Sequence, residues 1–236
     1  MKRKPVIGIL GKADEASDDD KVICCWESIR RAIVKKGGIP LLIMPTQEFE
    51  FYTTKPKDAK KLTEENKNDL KVILDMCDGL LFPGGYMWYE FEEYAYSYAY
   101  QKNMPVLGIC AGMQMMACVD LDFEKGVLNK NGTELEHRKR EKKYVHNIII
   151  EEGTLLKQIL GVDKVKVNSK HRYSVKKVKN LKISAYSEDG LIEAIEEKNK
   201  DFMIGVQWHP ESMIDYDEYA NKLITAFIKK CKENND

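Results

Sequence analysis

The sequence contains no long run of apolar residues. The apolar segment near its N-terminus stops at Leu10, which makes it shorter than the apolar region of a signal peptide. No stretch approaches the roughly 20 apolar residues that a membrane helix requires. An excess of one charge is also lacking, because 38 lysines and arginines balance 38 aspartates and glutamates. We therefore expect neither a membrane nor a nucleic acid as a partner.

Closely spaced cysteines and histidines are lacking as well. None of the six cysteines belongs to a C-x-x-C pair, and the four histidines are too scattered to predict a ligand cluster. This pattern predicts no disulfide framework and no metal site. Scattered cysteines without a targeting segment favour the reducing cytoplasm, where we expect the protein to reside. His137 lies in a charged segment and is predicted to be exposed.

Short apolar segments alternate along the chain with helical patterns, as in an α/β protein. The predicted strands comprise residues 4–10, 39–44, 79–82, 106–109, 144–151, 164–168, 181–186, 191–196 and 202–207. The predicted helices comprise residues 26–36, 66–77, 88–100, 154–160 and 219–231. Residues 11–20 are predicted to form an acidic loop. The length predicts a single domain, residues 1–236.

Residues 88–100 carry two conflicting patterns. Their tyrosines alternate as in a strand, whereas their apolar residues also recur at helical spacing. We favour the helix, because a crossover must precede the next parallel strand.

The segment G-I-C-A-G, centred on Cys110, ends the apolar run of residues 106–109. Two glycines around a nucleophilic residue are typical of a nucleophile elbow, a sharp turn from a strand into a helix. A cysteine there faces the positive end of the following helix, which favours the thiolate. Taken alone, the segment is equally compatible with a buried core cysteine.

A second candidate segment, G-V-Q-W-H-P-E, follows the predicted strand of residues 202–207. A cysteine nucleophile needs a base, and the base needs a group that orients it. His209 and Glu211 can supply these two functions, because residues two apart on an extended segment point the same way. The two segments together predict a Cys-His-Glu triad.

With P-G-G at residues 83–85, these two segments resemble the class I glutamine amidotransferase superfamily. V-N-S-K-H at residues 167–171 and S-E-D-G-L-I-E-A at residues 187–194 are similar to its gamma-glutamyl-gamma-aminobutyrate hydrolase branch. The resemblance implies an α/β fold: a flavodoxin-like three-layer sandwich with a mostly parallel central sheet and a nucleophile elbow. It implies no metal, nucleotide or organic cofactor.

The resemblance also implies roles for individual residues. The implied catalytic residues are Cys110, His209 and Glu211. The implied oxyanion hole consists of the backbone amides of Gly85 and Ala111. The residues implied to bind substrate are Gly84, Gln114, Ser169 and His171. The chain departs from the family's usual sequence at residues 86–90 and 120–143, which leaves substrate choice open. Arg172 is equally compatible with a substrate contact and with a surface ion pair.

The expected function is hydrolysis of γ-glutamyl amides, with a small γ-glutamyl compound as substrate and a homodimer allowed. Two alternatives stay open. The chain could be a glutaminase subunit that supplies ammonia to a synthase partner, or a non-catalytic regulatory relative.

Overall fold

The computed structural model describes residues 3–15, 20–51, 54–132 and 135–234. The strands are β1 Val6–Leu10, β2 Lys12–Glu15, β3 Lys21–Cys24, β4 Ile39–Ile43, β5 Gly79–Phe82, β6 Val106–Ile109, β7 Leu128–Lys130, β8 His146–Ile150, β9 Lys164–Val167, β10 Tyr173–Val175, β11 Lys182–Ser187, β12 Ile192–Glu196 and β13 Met203–Val206. The helices are α1 Glu27–Lys35, α2 Glu64–Leu74, α3 Glu90–Gln101, α4 Ala111–Asp120, α5 Leu155–Leu160 and α6 Glu218–Glu233.

Eleven strands form the main sheet, whose principal order is β4-β1-β5-β6-β13-β12-β11-β8-β9. The first five strands in this order are mutually parallel. From β12 onward the neighbours are antiparallel. The short strands β7 and β10 pair with each other, and β10 also pairs with β12. The predicted mostly parallel central sheet is therefore confirmed, and it carries an antiparallel extension.

Two hydrophobic cores lie on opposite faces of the sheet. One contains buried residues of α1, α5 and α6, and the other contains buried residues of α2, α3 and α4. Neighbouring residues of one strand contribute to different cores: Leu81 lies in the first core, whereas Leu80 and Phe82 lie in the second. This alternation follows from the pleat of a strand, and it places helices on both faces. The three-layer α/β sandwich is confirmed.

Local sequence signals explain where several helices begin and end. The side chain of Thr154 accepts a hydrogen bond from Lys157 N at 3.0 Å and caps α5, which ends at Gly161 with φ of 73°. Asp217 caps α6 in the same way, accepting from Ala220 N at 2.7 Å. Residues 88–100 were the ambiguous segment, and α3 confirms the helix.

The prediction of a loop throughout residues 11–20 is wrong for its first half. Strand β2 pairs antiparallel with β3, with Lys12 opposite Cys24 and Ala13 opposite Ile23. Its sequence, K-A-D-E, contains a single apolar residue, so no alternating pattern indicates a strand. The partner strand supplies the hydrogen bonds that local sequence does not predict. Residues 16–19 of this segment lie outside the described residues.

No helix in the described ranges is both long enough and apolar enough to cross a membrane.

Candidate active site

Three neighbouring parallel strands end at the same edge of the sheet. Strand β5 leads into Pro83-Gly84-Gly85, β6 leads into Cys110, and β13 leads into the segment that contains His209. Ligands of open α/β sheets bind outside the carboxyl ends of the strands, where such loops meet. The fold therefore gathers three segments that are far apart in the sequence.

Cys110 occupies a strained corner between β6 and α4. Its backbone has φ of 51° and ψ of −102°, a conformation that residues other than glycine rarely adopt. The residue is the N-cap of α4, so the free amide groups of the first helical turn lie beside it. Gly112 permits this corner, because a Cβ there would lie 2.3 Å from Phe82 O. The predicted nucleophile elbow is present in the backbone.

His209 and Glu211 form a buried pair. His209 Nδ1 lies 2.9 Å from Glu211 Oε1, and neither side chain is more than slightly exposed. Burial lowers the pKa of His209, but Glu211 and Cys110 outweigh it and raise the pKa to about 10. The imidazole is therefore protonated at neutral pH. Pro210–Ser212 is a short 3-10 helix rather than the extended segment from which we predicted this contact.

Asn168 fixes the backbone of the histidine segment. Its Oδ1 accepts from His209 N at 2.8 Å, and its Nδ2 donates to His209 O at 2.9 Å. All these groups are buried. Asn168 thus holds the base in place without touching the imidazole ring.

Gly84 lies between the nucleophile and the base. A Cβ built on Gly84 would lie 2.8 Å from His209 Cε1 and 3.4 Å from Cys110 Cβ. The structure therefore brings Cys110, His209, Glu211 and Gly84 together. Gly85 and Ala111 flank this group, and within the described residues neither backbone amide donates a hydrogen bond to the protein.

The other residues predicted to bind substrate make contacts inside the protein. Gln114 Nε2 donates to Tyr173 O at 2.8 Å and to Gln207 Oε1 at 3.1 Å. Ser169 is fully buried, and its Oγ donates to His137 O at 2.7 Å. His171 is also buried and lies with other histidines rather than with Cys110.

The loop of residues 86–90 divides into an exposed half and a packed half. Tyr86 is 79% exposed and Met87 is 39% exposed, whereas Tyr89 is buried. The hydroxyl of Tyr86 accepts from Arg140 Nη2 at 3.1 Å, and Arg140 lowers the pKa of this tyrosine. Arg140 belongs to the second divergent segment, so the two divergent segments meet. Arg172 is exposed.

A buried ion pair supports the Gly84–Gly85 turn. Lys12 Nζ bonds to the carboxylate of Glu92 and to Met87 O, and the Lys12 side chain lies beside Gly85. Sequence reasoning missed both residues, because a lysine in a polar segment and a glutamate on a helix predict exposure.

Two predictions about the histidines are wrong. His137 is buried rather than exposed, and it forms a cluster with His146, His171 and Glu193. The predicted absence of a ligand cluster rested on short sequence spacings. These four residues come from distant segments that only the antiparallel extension of the sheet brings together. No local signal could have found them.

A model of the Peptidase C26 family matches residues 88–211, which is more than half of the chain and contains Cys110, His209 and Glu211. The chain belongs to the Peptidase C26 family. It is 28% identical to the glutamine amidotransferase-like protein RP404 of Rickettsia prowazekii, over 98% of this chain and 99% of that protein.

A second relative is the gamma-glutamyl-gamma-aminobutyrate hydrolase PuuD of Escherichia coli. The identity is 32%, over 58% of this chain and 57% of the relative. Among solved structures, the glutaminase domain of Trypanosoma brucei CTPS with bound acivicin has a TM-score of 0.63 at 17% identity, covering 97% of this chain and 94% of that one. The predicted family resemblance is confirmed. The family match and the similarity to gamma-glutamyl-gamma-aminobutyrate hydrolases support a hydrolase that acts on C–N bonds.

Proposed function

We propose that this chain is a cysteine hydrolase that cleaves γ-glutamyl amides through a γ-glutamyl thioester. The observation that carries the proposal is the strained Cys110 at the start of α4, with the buried His209–Glu211 pair across Gly84. A nucleophile, a base and a group that orients the base are the parts that covalent acyl transfer requires. The similarity to a gamma-glutamyl-gamma-aminobutyrate hydrolase supports the choice of bond.

The first half of the reaction forms the thioester. Cys110 Sγ attacks the side-chain carbonyl carbon of the γ-glutamyl group, and negative charge develops on the carbonyl oxygen. The amides of Gly85 and Ala111, which donate no hydrogen bond within the described residues, would stabilise this charge. His209, with its pKa raised to about 10 by Glu211 and Cys110 against the effect of burial, then protonates the leaving nitrogen as the C–N bond breaks.

The second half releases glutamate. Water attacks the thioester carbon while the neutral His209 accepts one of its protons. The C–S bond breaks, and the site returns to a sulfur nucleophile beside a protonated imidazole. Glu211 orients the ring in both halves and stabilises its positive charge.

The substrate contacts divide between the acyl group and the leaving amine. We propose that Gly84 and Gln114 lie along the glutamyl group, and that the exposed Tyr86 and its partner Arg140 lie along the leaving amine. An arginine at that end suits an amine that carries a carboxylate, such as γ-aminobutyrate. Ser169 and His171 are buried and make their contacts within the protein. We therefore propose that they stabilise the loops of the site instead of contacting the substrate.

The test is release of amines and ammonia by the purified chain alone. The panel contains γ-glutamyl-γ-aminobutyrate, γ-glutamyl amines without a carboxylate, and glutamine. Cys110→Ala should abolish turnover. Cys118→Ala is the matched control, because Cys118 is a buried cysteine of the same helix, and burial and Glu93 raise its pKa to about 11.

The outcomes distinguish the candidate functions. Cys110-dependent cleavage of γ-glutamyl amines in preference to glutamine supports the hydrolase. Slow hydrolysis of glutamine alone would indicate a glutaminase subunit that requires a synthase partner. Full activity in a clean Cys110→Ala protein would refute the mechanism. No turnover together with no alkylation of Cys110 at neutral pH would indicate a regulatory relative.

A further inference from the structure

Three of the four histidines of the chain meet one glutamate away from Cys110. His137, His146, His171 and Glu193 are at most 4% exposed. Each offers one ligand atom, and the four atoms lie within 4.8 Å of one another. His146 begins β8 and Glu193 lies on β12, whereas His137 and His171 belong to the loops between strands.

In each histidine ring one nitrogen, called the inner nitrogen, points toward Glu193, and the other, called the outer nitrogen, points away from it. Each outer nitrogen faces a hydrogen-bond acceptor. His137 Nε2 lies 2.9 Å from Asp189 Oδ2, His146 Nδ1 lies 3.2 Å from Asn147 O, and His171 Nδ1 lies 3.1 Å from Tyr173 O. A carbonyl or carboxylate oxygen can only accept, so it holds the proton of a neutral ring on that outer nitrogen. For His137 and His146 the inner nitrogen then directs a lone pair at Glu193. The outer nitrogen of His171 also lies 3.2 Å from Asn131 Nδ2, an amide donor, so its contacts are compatible with either tautomer. Carbonyl and carboxylate partners of this kind typically orient histidines that bind metals.

The inner atoms have no hydrogen-bond partner within the described residues. They are His137 Nδ1, His146 Nε2, His171 Nε2 and both carboxylate oxygens of Glu193. The three nitrogens lie 3.4, 3.5 and 3.4 Å from Glu193 Oε1. Charge-assisted hydrogen bonds are shorter, at about 2.7–2.9 Å. By contrast, ligands about 2.0–2.1 Å from a tetrahedral Zn²⁺ are about 3.3–3.4 Å apart. The three distances to Glu193 Oε1 are thus close to three edges of a coordination tetrahedron, and the three nitrogens lie within 4.8 Å of one another.

We propose that His137, His146, His171 and Glu193 bind one divalent transition-metal ion, with Zn²⁺ as the expected ion. Three imidazoles and a carboxylate are ligands that Zn²⁺ accepts. A cation at the centre would give a partner to the inner nitrogens and the carboxylate, which otherwise face one another unpaired in a buried space. A surface pocket, whose lining includes Asn131, His137 and His171, lies beside two of the four ligands.

Four protein ligands leave no open position, so we assign this metal a structural role. It would tie the loop of residues 168–171 to the antiparallel half of the sheet. His171 N donates to His137 O at 3.0 Å, and Asn168 in the same loop holds the backbone of His209. The inference goes beyond the proposed hydrolysis, because binding of the ion can be measured without any turnover.

The experiment measures metal content in the full chain after removal of any histidine tag. Wild-type protein, dialysed in metal-free buffer, should retain close to one Zn²⁺ per chain by elemental analysis. Protein loaded with Co²⁺ instead should show the visible bands of a tetrahedral site. His146→Asn should lose the ion, whereas His209→Asn, the same change at the histidine outside the cluster, should retain the ion and lose turnover.

A second variant keeps the test decisive if His146→Asn does not fold. Asp189→Asn leaves all four ligands in place and weakens the outer hydrogen bond of His137, so metal affinity should fall about 10- to 100-fold. The proposal is overturned if folded wild-type protein neither retains Zn²⁺ nor takes up Co²⁺. It is also overturned if both cluster variants bind metal like wild type, or if His209→Asn loses the ion.

Discussion

At the scale of single residues, Gly84 decides whether the nucleophile and the base can approach each other. A Cβ at this position would lie 2.8 Å from His209 Cε1, which forces the imidazole to move, and would be in van der Waals contact with Cys110 Cβ at 3.4 Å. We expect Gly84→Ala to lower kcat by about 100-fold, as displacements of about 1 Å do at reacting centres. Steady-state kinetics with the best substrate of the panel would measure this effect.

A matched glycine provides the control for this substitution. A Cβ on Gly132 would lie within 4 Å of no atom in the part of the chain that the structure describes, so Gly132→Ala should retain kcat. If Gly84→Ala is as active as Gly132→Ala, the close approach of Cys110 and His209 is not required for turnover.

The charge of His209 links catalysis to stability. Burial lowers its pKa, but Glu211 and Cys110 raise it to about 10, from the ordinary histidine pKa of about 6.5. The folded protein therefore holds a proton that the unfolded chain releases between these two values. Stability from this site is complete below about pH 6.5 and is lost as the pH rises through about 10.

Glu211→Gln tests this linkage. We expect kcat to fall by about 10³- to 10⁴-fold, because the ring loses its negative partner. The variant should also lose less stability than wild type between pH 7 and 10, because the pKa of its His209 is closer to that of the unfolded chain. Denaturant unfolding of both proteins across this pH range measures the difference. Parallel stability curves would contradict a pKa raised by Glu211.

Single residues also show what the sequence can and cannot predict. Cys110 and His209 were chosen as candidates because each follows a short apolar strand with glycines nearby, and those signals are local; their catalytic roles stay a prediction. The contact between His209 and Glu211 was predicted correctly, but from an extended backbone instead of the observed 3-10 turn. The histidine cluster depends on pairing between distant strands, which no local pattern records.

At the scale of elements, Asn168 connects the end of β9 to the segment that follows β13. Its two buried hydrogen bonds, of 2.8 and 2.9 Å, hold the backbone of His209. Asn168→Ala leaves His209 N unsatisfied and leaves His209 O with Ser212 N alone, at 3.2 Å, which should cost about 1–3 kcal/mol of stability. We expect kcat to fall at least tenfold with little change in KM, because the substitution displaces the base and leaves the substrate pocket intact.

Thr154→Ala separates lost stability from lost positioning. Thr154 is also buried and also makes two hydrogen bonds, at 2.7 and 3.0 Å, at the start of the distant helix α5. The variant should be destabilised by about 1–2 kcal/mol, the cost of a lost helix cap, while kcat is retained. Equal losses of kcat in the two variants would mean that Asn168 acts through stability alone.

A strand or helix could be predicted from the sequence where its own residues carry an apolar or amphipathic pattern. The apolar strands β1, β5, β6 and β13 and the amphipathic helices α1 and α6 have such patterns. Strands β2, β7 and β10 do not, because they are short and partly polar, and their partners determine them. The pairing of β2 with β3 positions Lys12, which supports the active-site turn. The pairings of the antiparallel extension place His137 beside Glu193.

At the scale of the whole molecule, the sheet is shared by two cores. Leu107 of β6 lies in the core with α1, α5 and α6, whereas Leu80 of β5 lies in the core with α2, α3 and α4. Because alternate residues of the central strands supply both cores, neither core has a sheet of its own. We propose on this basis that the chain is one domain that unfolds as one unit.

Calorimetry tests this proposal. We expect one transition with equal calorimetric and van't Hoff enthalpies, and a total of about 165 kcal/mol near 60 °C, from roughly 0.7 kcal/mol per residue. Leu80→Ala and Leu107→Ala should each cost about 2–5 kcal/mol and lower the Tm of that single transition by several degrees.

Because each leucine belongs to a different core, two independently unfolding units would respond separately to the two substitutions. A split transition, in which Leu80→Ala shifts one part and Leu107→Ala the other, would contradict a single domain. A common shift would mean that the strands carrying Cys110 and His209 acquire their geometry only when both helical layers are in place.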